Sequence, residues 1–122
     1  MGYIDLHVHS TMSNGSLSPE SLVKLACEKG LYAISITDHE SVSGIYPALQ
    51  TAKTQPVRIV PGVEISCVLG RLPINILGYF IDYTDPSLIS SLRAVSGFRD
   101  ERNIKICSQL RTYGIDIEYE EF

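Results

Sequence analysis

The 122 residues suffice for one domain and are too few for two independent cores. A hydrophobic share of 44% against 20% charged residues excludes a disordered tail. Ten Lys and Arg against fourteen Asp and Glu give a net charge of −4, which leaves no electrostatic footprint for duplex nucleic acid or an anionic membrane surface. In chain order, residues 3–9 alternate, with Ile4, Leu6 and Val8 on one face and Asp5, His7 and His9 on the other, the period of a strand. Residues 10–17, rich in Ser, Asn and Gly, read as loop. Ser18-Pro19-Glu20 opens a helix: Ser caps, Pro takes the first helical position and Glu suits the positive end. Leu22, Leu25 and Ala26 follow at helical spacing, and Gly30 closes. Residues 31–37 form an apolar run suited to a buried parallel strand.

The unit then recurs. Ser43 is placed to cap a second helix reaching about Lys53, with Pro47 tolerated near its first turn. Residues 58–67 and 73–81 read as strands that turn near Gly70-Arg71. Asp85-Pro86 opens a helical stretch to about Tyr113, with Gly97 as a break and Gly114 as the stop. Residues 115–122 form an acidic end. Alternating strand and helix put the chain in the α/β class with a largely parallel sheet. Four strands and three helical stretches make about half of a closed α/β barrel, which typically needs about 250 residues. A half barrel would leave apolar faces uncovered and so invite self-association. The three cysteines, Cys27, Cys67 and Cys107, stand far apart without a CxxC pair and read as reduced core thiols of a cytoplasmic protein. The opening residues lack the basic and apolar regions of a signal peptide, and no apolar run reaches membrane-span length.

All three histidines fall at strand ends. His7 and His9 lie two apart on the first strand, so their side chains leave one face. His39 follows Asp38 directly after the second strand, and Glu64 lies late in the third. In parallel α/β folds that rim is where ligands bind. Imidazole and carboxylate are the ligand set for Zn²⁺, Mn²⁺ or Fe²⁺. Two imidazoles from one strand can share an ion, and Glu64 can bridge to a second. Asp5, on the same face, is placed to accept the second ring N–H of a ligating histidine. Taken singly, each signal has a bland reading: surface alternation for the two histidines, loop polarity for Asp38-His39, an exposed strand residue for Glu64. Their coincidence on one rim favours a metal site.

The ordered segments Asp5-Leu6-His7-Val8-His9-Ser10, Asn14-Gly15, Ser18-Pro19-Glu20, Ile36-Thr37-Asp38-His39-Glu40, Pro61-Gly62-Val63-Glu64-Ile65-Ser66 and Leu77-Gly78-Tyr79-Phe80 strongly resemble the polymerase and histidinol phosphatase (PHP) family, and most of all its stand-alone phosphoesterases. The resemblance implies that residues 1–122 are the N-terminal portion of a single domain, a distorted (β/α)7 TIM-like barrel holding up to three divalent ions (Mn, Zn or Fe). It implies phosphoester hydrolysis through metal-activated water, on a small phosphorylated substrate such as a nucleotide or short oligonucleotide. His7 and His9 match the first ligand motif, His39 the second and Glu64 the bridging carboxylate. Asp38 is a weaker candidate for orienting a ligand or shuttling a proton. Two positions depart from the family: Asn14 stands where Asp is usual, and Asn75 where His is usual. Each keeps a carbonyl oxygen and loses charge or imidazole, which implies weaker cation binding; simple turn chemistry at Asn14 and a polar strand residue at Asn75 are the plain readings. Arg99 and Arg102 are either phosphate contacts or a solvated helix face. The alternatives are a degenerate PHP module without turnover, and, more remotely, an unrelated metal-binding α/β protein.

Overall fold

A computed structural model describes residues 2–117 and 119. The acidic end expected over residues 115–122 therefore lies partly outside the described residues. The elements run β1 (Tyr3–Val8), α1 (Pro19–Glu28), β2 (Leu31–Ile36), α2 (Ile45–Ala52), β3 (Arg58–Ile59), β4 (Gly62–Leu69), β5 (Leu72–Tyr79) and α3 (Pro86–Thr112). β1, β2 and β3 form a parallel sheet in that order, while β4 and β5 pair as an antiparallel hairpin. The class is mixed α/β as expected, but the parallel pairing covers only the first three strands, and no barrel closes among the described residues.

α1 forms as its sequence dictates. Ser18 Oγ accepts the Ser21 N–H at 3.2 Å, Pro19 occupies the first helical position, and Gly30 turns the chain at φ +68°. The core lies between the helices and the parallel sheet: Leu22, Val23 and Ala26 from α1, Ile34 and Ile36 from β2, Ala48 from α2, and Val57. Four expectations change. Gly44, not Ser43, is the cap of α2, and no side chain bonds there. Residues 58–67 are not one strand: they divide at Val60-Pro61, where Pro61 has no N–H to continue the ladder. α3 runs unbroken for 27 residues through Gly97, whose cost of about 1 kcal/mol relative to Ala is too small to end so long a helix. Only Cys107 is fully buried; Cys27 and Cys67 are partly exposed, and all three are free thiols.

The most consequential difference is in β1. Asp5 pairs with Ile34 and Val8 with Ile36, so three steps of β1 face two of β2. This bulge breaks the simple alternation. Ile4 and Leu6 line an open hollow with Tyr32, Ile59 and Phe80, whereas Val8 packs on the helical core and Asp5 lies beside it near Leu22 and Leu25. Ile4, Leu6 and Val8 therefore do not share a face. Asp5 does not share that of the histidines either; its carboxylate accepts the backbone N–H of His7 at 3.2 Å. Tyr79 Oη donates to the Leu6 carbonyl at 2.9 Å, tying the hairpin to β1 at the irregular step.

Much apolar surface stays open, including Tyr3, Ile4, Tyr32, Val68, Leu72 and Phe80. No helix among the described residues is long and apolar enough to cross a membrane.

Candidate metal centre

Three backbone segments meet at the rim. Thr37 N–H donates to the Val8 carbonyl at 2.8 Å, which aligns the ends of β1 and β2. Immediately beyond β2, the Asp38-His39-Glu40 segment bridges in parallel to β4: Glu64 N–H donates to the Asp38 carbonyl at 3.2 Å, and Glu40 N–H to the Glu64 carbonyl at 2.9 Å. The first carboxylate of the hairpin is thereby delivered beside all three histidines. His7 Nε2 and His9 Nε2 each lie 3.1 Å from Glu64 Oε2 and 3.2 Å from one another. His39 Nε2 stands 3.6 Å from the same oxygen, with its ring stacked on His9 at 4.8 Å between centroids.

Ligand atoms 2.0–2.1 Å from a common ion are separated by about 3.0 Å in octahedral and about 3.4 Å in tetrahedral geometry. The triangle of donors at 3.1, 3.1 and 3.2 Å falls within that interval, so these residues fit a divalent cation in both number and spacing. Among the described residues, His7, His9 and Glu64 are the group of His, Cys, Asp or Glu side chains so placed. Glu64 is 2% exposed. Burial opposes its ionisation, but the hydrogen bond to His7 and the neighbouring imidazoles outweigh it and hold the carboxyl below the usual range. Burial pushes His9 down, and His39 acts in the same direction, so the His9 ring stays neutral and able to donate a lone pair below the ordinary histidine range. The Nδ1 atoms of His9 and His39 are buried without a hydrogen-bond partner. His9 and His39 stack nearly parallel, so each ring helps to fix the plane of the other.

The remaining sequence candidates separate. Asp38 is 1% exposed, and its carboxylate is fully engaged: Oδ1 accepts Ser10 N–H at 2.7 Å and Ser13 Oγ at 2.6 Å, and Oδ2 accepts Ser10 Oγ at 2.6 Å. It clamps the loop that follows His9. Gly15 closes that loop so tightly that a Cβ there would lie 2.1 Å from the His9 carbonyl oxygen. Asn14 is exposed and lines a hollow with His39 and Arg99. Asn75 pairs with Ser66, two residues along β4 from Glu64, and so shares the Glu64 face of the hairpin. Arg99 is paired with Glu40, while Arg102 bonds its helical neighbour Asn103 at 3.1 Å.

Glu40 is the residue that sequence reasoning passed over. It is 5% exposed at φ +48°, a left-handed conformation uncommon for residues other than Gly, Asn or Asp. One carboxylate oxygen accepts Ser66 N–H at 2.7 Å, and the other takes Arg99. It thus joins the rim segment to β4 and α3 together. The signal was its place directly after Asp38-His39, in a segment whose neighbours drew all the notice.

An α/β rim carrying three imidazoles around a buried carboxylate offers a donor set that fits a divalent cation. Residues 5–113 match the PHP domain, and the chain belongs to that family. It is 35% identical over 116 residues to a 5′-3′ exoribonuclease of Haemophilus influenzae, covering 95% of this chain and 42% of that protein. It is 32% identical over 115 residues to a 3′,5′-nucleoside bisphosphate phosphatase of Chromobacterium violaceum, covering 94% and 40%. Among solved structures, an amidohydrolase from Chromobacterium violaceum with bound sulfate superposes with a TM-score of 0.90 at 31% identity, over 96% of this chain and 41% of that one. The chain spans about two-fifths of the length of these two curated relatives.

Proposed function

We propose that this chain is the cation-holding portion of a phosphoesterase that hydrolyses phosphomonoesters or phosphodiesters of the nucleotide type. The observation that carries this reading is the donor triangle of His7, His9 and Glu64 with His39 beside it. Its support from relatives is that proteins named as a bisphosphate phosphatase and an exoribonuclease align over nearly the whole chain. On this reading, residues 1–122 contribute the first portion of one PHP domain with a (β/α)7 barrel-like plan, and the open apolar surface is where the chain associates with itself or with further polypeptide. Three free thiols suit a reducing compartment, and the cytoplasm is the proposed location.

His7, His9 and Glu64 hold one divalent cation, Mn, Zn or Fe; Glu64 and His39 hold a second, and Asn14 and Asn75 offer amide oxygens to outer positions. Such cations, when bound, supply Lewis acidity and an activated water at neutral pH. Asp38 is a positioning residue: with both oxygens occupied, it fixes the Ser10–Ser13 backbone behind His9. Glu64 spans the imidazoles and keeps its charge through their proximity. Arg99 reaches the rim already neutralised by Glu40, so phosphate recognition falls mainly to the cation cluster.

Calorimetric titration of Mn²⁺ and Zn²⁺ into the chain and into Glu64→Gln tests the reading, with hydrolysis of adenosine 3′,5′-bisphosphate measured alongside. Cation binding that weakens at least tenfold in the variant is expected; equal affinity in both would overturn it. A second reading, cation binding without turnover, is favoured by the amides at Asn14 and Asn75 where the family resemblance implies a carboxylate and an imidazole. Binding with no hydrolysis would select it.

A further inference from the structure

Glu40 stands outside the donor triangle, yet it completes the backbone pairing that carries Glu64. The rim segment and β4 share two rungs of a parallel ladder, Glu64 N–H to the Asp38 carbonyl at 3.2 Å and Glu40 N–H to the Glu64 carbonyl at 2.9 Å. Continued regularly, the next rung would run from Ser66 N–H to the carbonyl of Glu40. At φ +48° the chain has turned out of the ladder, and the side chain supplies the acceptor instead: Glu40 Oε1 takes Ser66 N–H at 2.7 Å. The backbone around Glu64 is thereby held at three successive points, two of them by Glu40. Arg99, from the middle of α3, takes the other Glu40 oxygen, so both oxygens are committed and the side chain has one setting. A left-handed backbone at a residue bearing a Cβ is strained and persists only where its surroundings hold it. Here the ladder on one side and Arg99 on the other do so.

We infer that Glu40 is a positioning residue for the cation centre: it fixes β4 so that the Glu64 carboxylate stays within ligand spacing of His7 and His9, and Arg99 acts on the centre by restraining Glu40. The inference rests on the cation-binding reading of the cluster and adds to it a residue that supplies no ligand atom. The leverage is large because a single atom, Glu64 Oε2, faces all three imidazoles. A small slip of β4 past the rim segment carries that oxygen away from the three rings at once.

Calorimetric titration of Mn²⁺ into the full chain separates positioning from charge. Loss of a group that orients a metal ligand costs about 10- to 100-fold in metal affinity, and Glu40→Ala is expected to fall in that range. Glu40→Gln keeps an amide oxygen for Ser66 N–H and should recover most of the loss. Arg99→Gln gives the sharper contrast. By charge alone, removing a cation near a divalent ion tightens binding, whereas freeing Glu40 from its restraint weakens it. Weaker binding by Arg99→Gln is expected, with little further loss when the change is added to Glu40→Ala. Val23→Ala, deep in the core beside α1, controls for lost stability and should leave Mn²⁺ affinity within about twofold. The sign of the Arg99→Gln effect decides even if Glu40→Ala does not fold. Glu40→Gln binding no better than Glu40→Ala, Arg99→Gln binding more tightly than the parent, or Val23→Ala losing as much as Glu40→Ala would each overturn the positioning role and leave the cation reading standing. A parent chain that does not bind Mn²⁺ would overturn the two together.

Discussion

Replacing Glu40 by Ala should destabilise the chain by about 2–4 kcal/mol at pH 7. The figure has two parts. The Ser66 N–H, bonded at 2.7 Å to Glu40 Oε1, loses its acceptor, and an unmet buried donor costs about 1–3 kcal/mol. The Arg99 partner is lost as well, but the Arg99 side chain is 34% exposed and can turn to water, so this part stays near the surface value of about 1 kcal/mol. Glu40→Gln keeps an acceptor for Ser66 and should cost about half as much. Glu40→Gly adds a control, since it relieves the left-handed backbone at φ +48° while losing the same bonds. The pH dependence has a definite sign. Burial opposes ionisation of Glu40, yet Arg99 and Ser66 outweigh it and hold its pKa below the ordinary value of 4.5. Its stabilisation is therefore complete above that value and lost as pH falls through the lower, folded-state one. Urea unfolding at pH 7 and near pH 3.5 would measure both effects. A parent-to-Ala gap under about 0.5 kcal/mol at pH 7, or one that acid does not narrow, would refute the reasoning.

Three further outcomes are expected. Gly15→Ala places a Cβ 2.1 Å from the His9 carbonyl oxygen; it should cost about 1–3 kcal/mol in urea unfolding and weaken Mn²⁺ binding, because backbone must move to admit it. Cation affinity followed by calorimetry should fall with pH once it passes below the ordinary histidine value into the lowered range where His9 takes a proton. The metal-free chain should lose stability over the same range, because His9 has a lowered folded-state pKa and the unfolded chain takes its proton more readily; Glu64 adds to the loss nearer its own range. Asn14→Asp with Asn75→His should raise Mn²⁺ affinity severalfold, and unchanged affinity would place neither side chain at the cluster.

The histidine cluster was legible because each member sits at a strand end, where the class of fold assembles its ligands, and because local motifs carried the same residues. Glu64 drew attention as a carboxylate on that rim, and its burial beside three imidazoles agrees. What escaped depends on tertiary pairing. The turn near Gly70-Arg71 announces that the strands on either side of it pair with each other, as β4 and β5 do. What residues 58–67 do not announce is the division at Val60-Pro61 that separates β4 from the parallel sheet. Gly97 looked like a stop because a helix's length is not weighed by local propensity. Glu40 escaped because its partners, Ser66 and Arg99, lie 26 and 59 residues away.

The extra residue in β1 changes what the His7-x-His9 spacing means. In a regular strand, residues 5, 7 and 9 would all project toward α1, and the two imidazoles would be sealed beneath a helix. Spending three residues against two between Asp5 and Val8 reverses that direction midway, so one short strand serves the core with Val8 and the open rim with His7 and His9. Grafting the two histidines onto another parallel strand would therefore reproduce their spacing and not their aim. A transplant must carry the Asp5-to-Val8 irregularity with it, along with an acceptor of the Tyr79 hydroxyl at the Leu6 carbonyl, which fastens the hairpin bearing Glu64 at that same step.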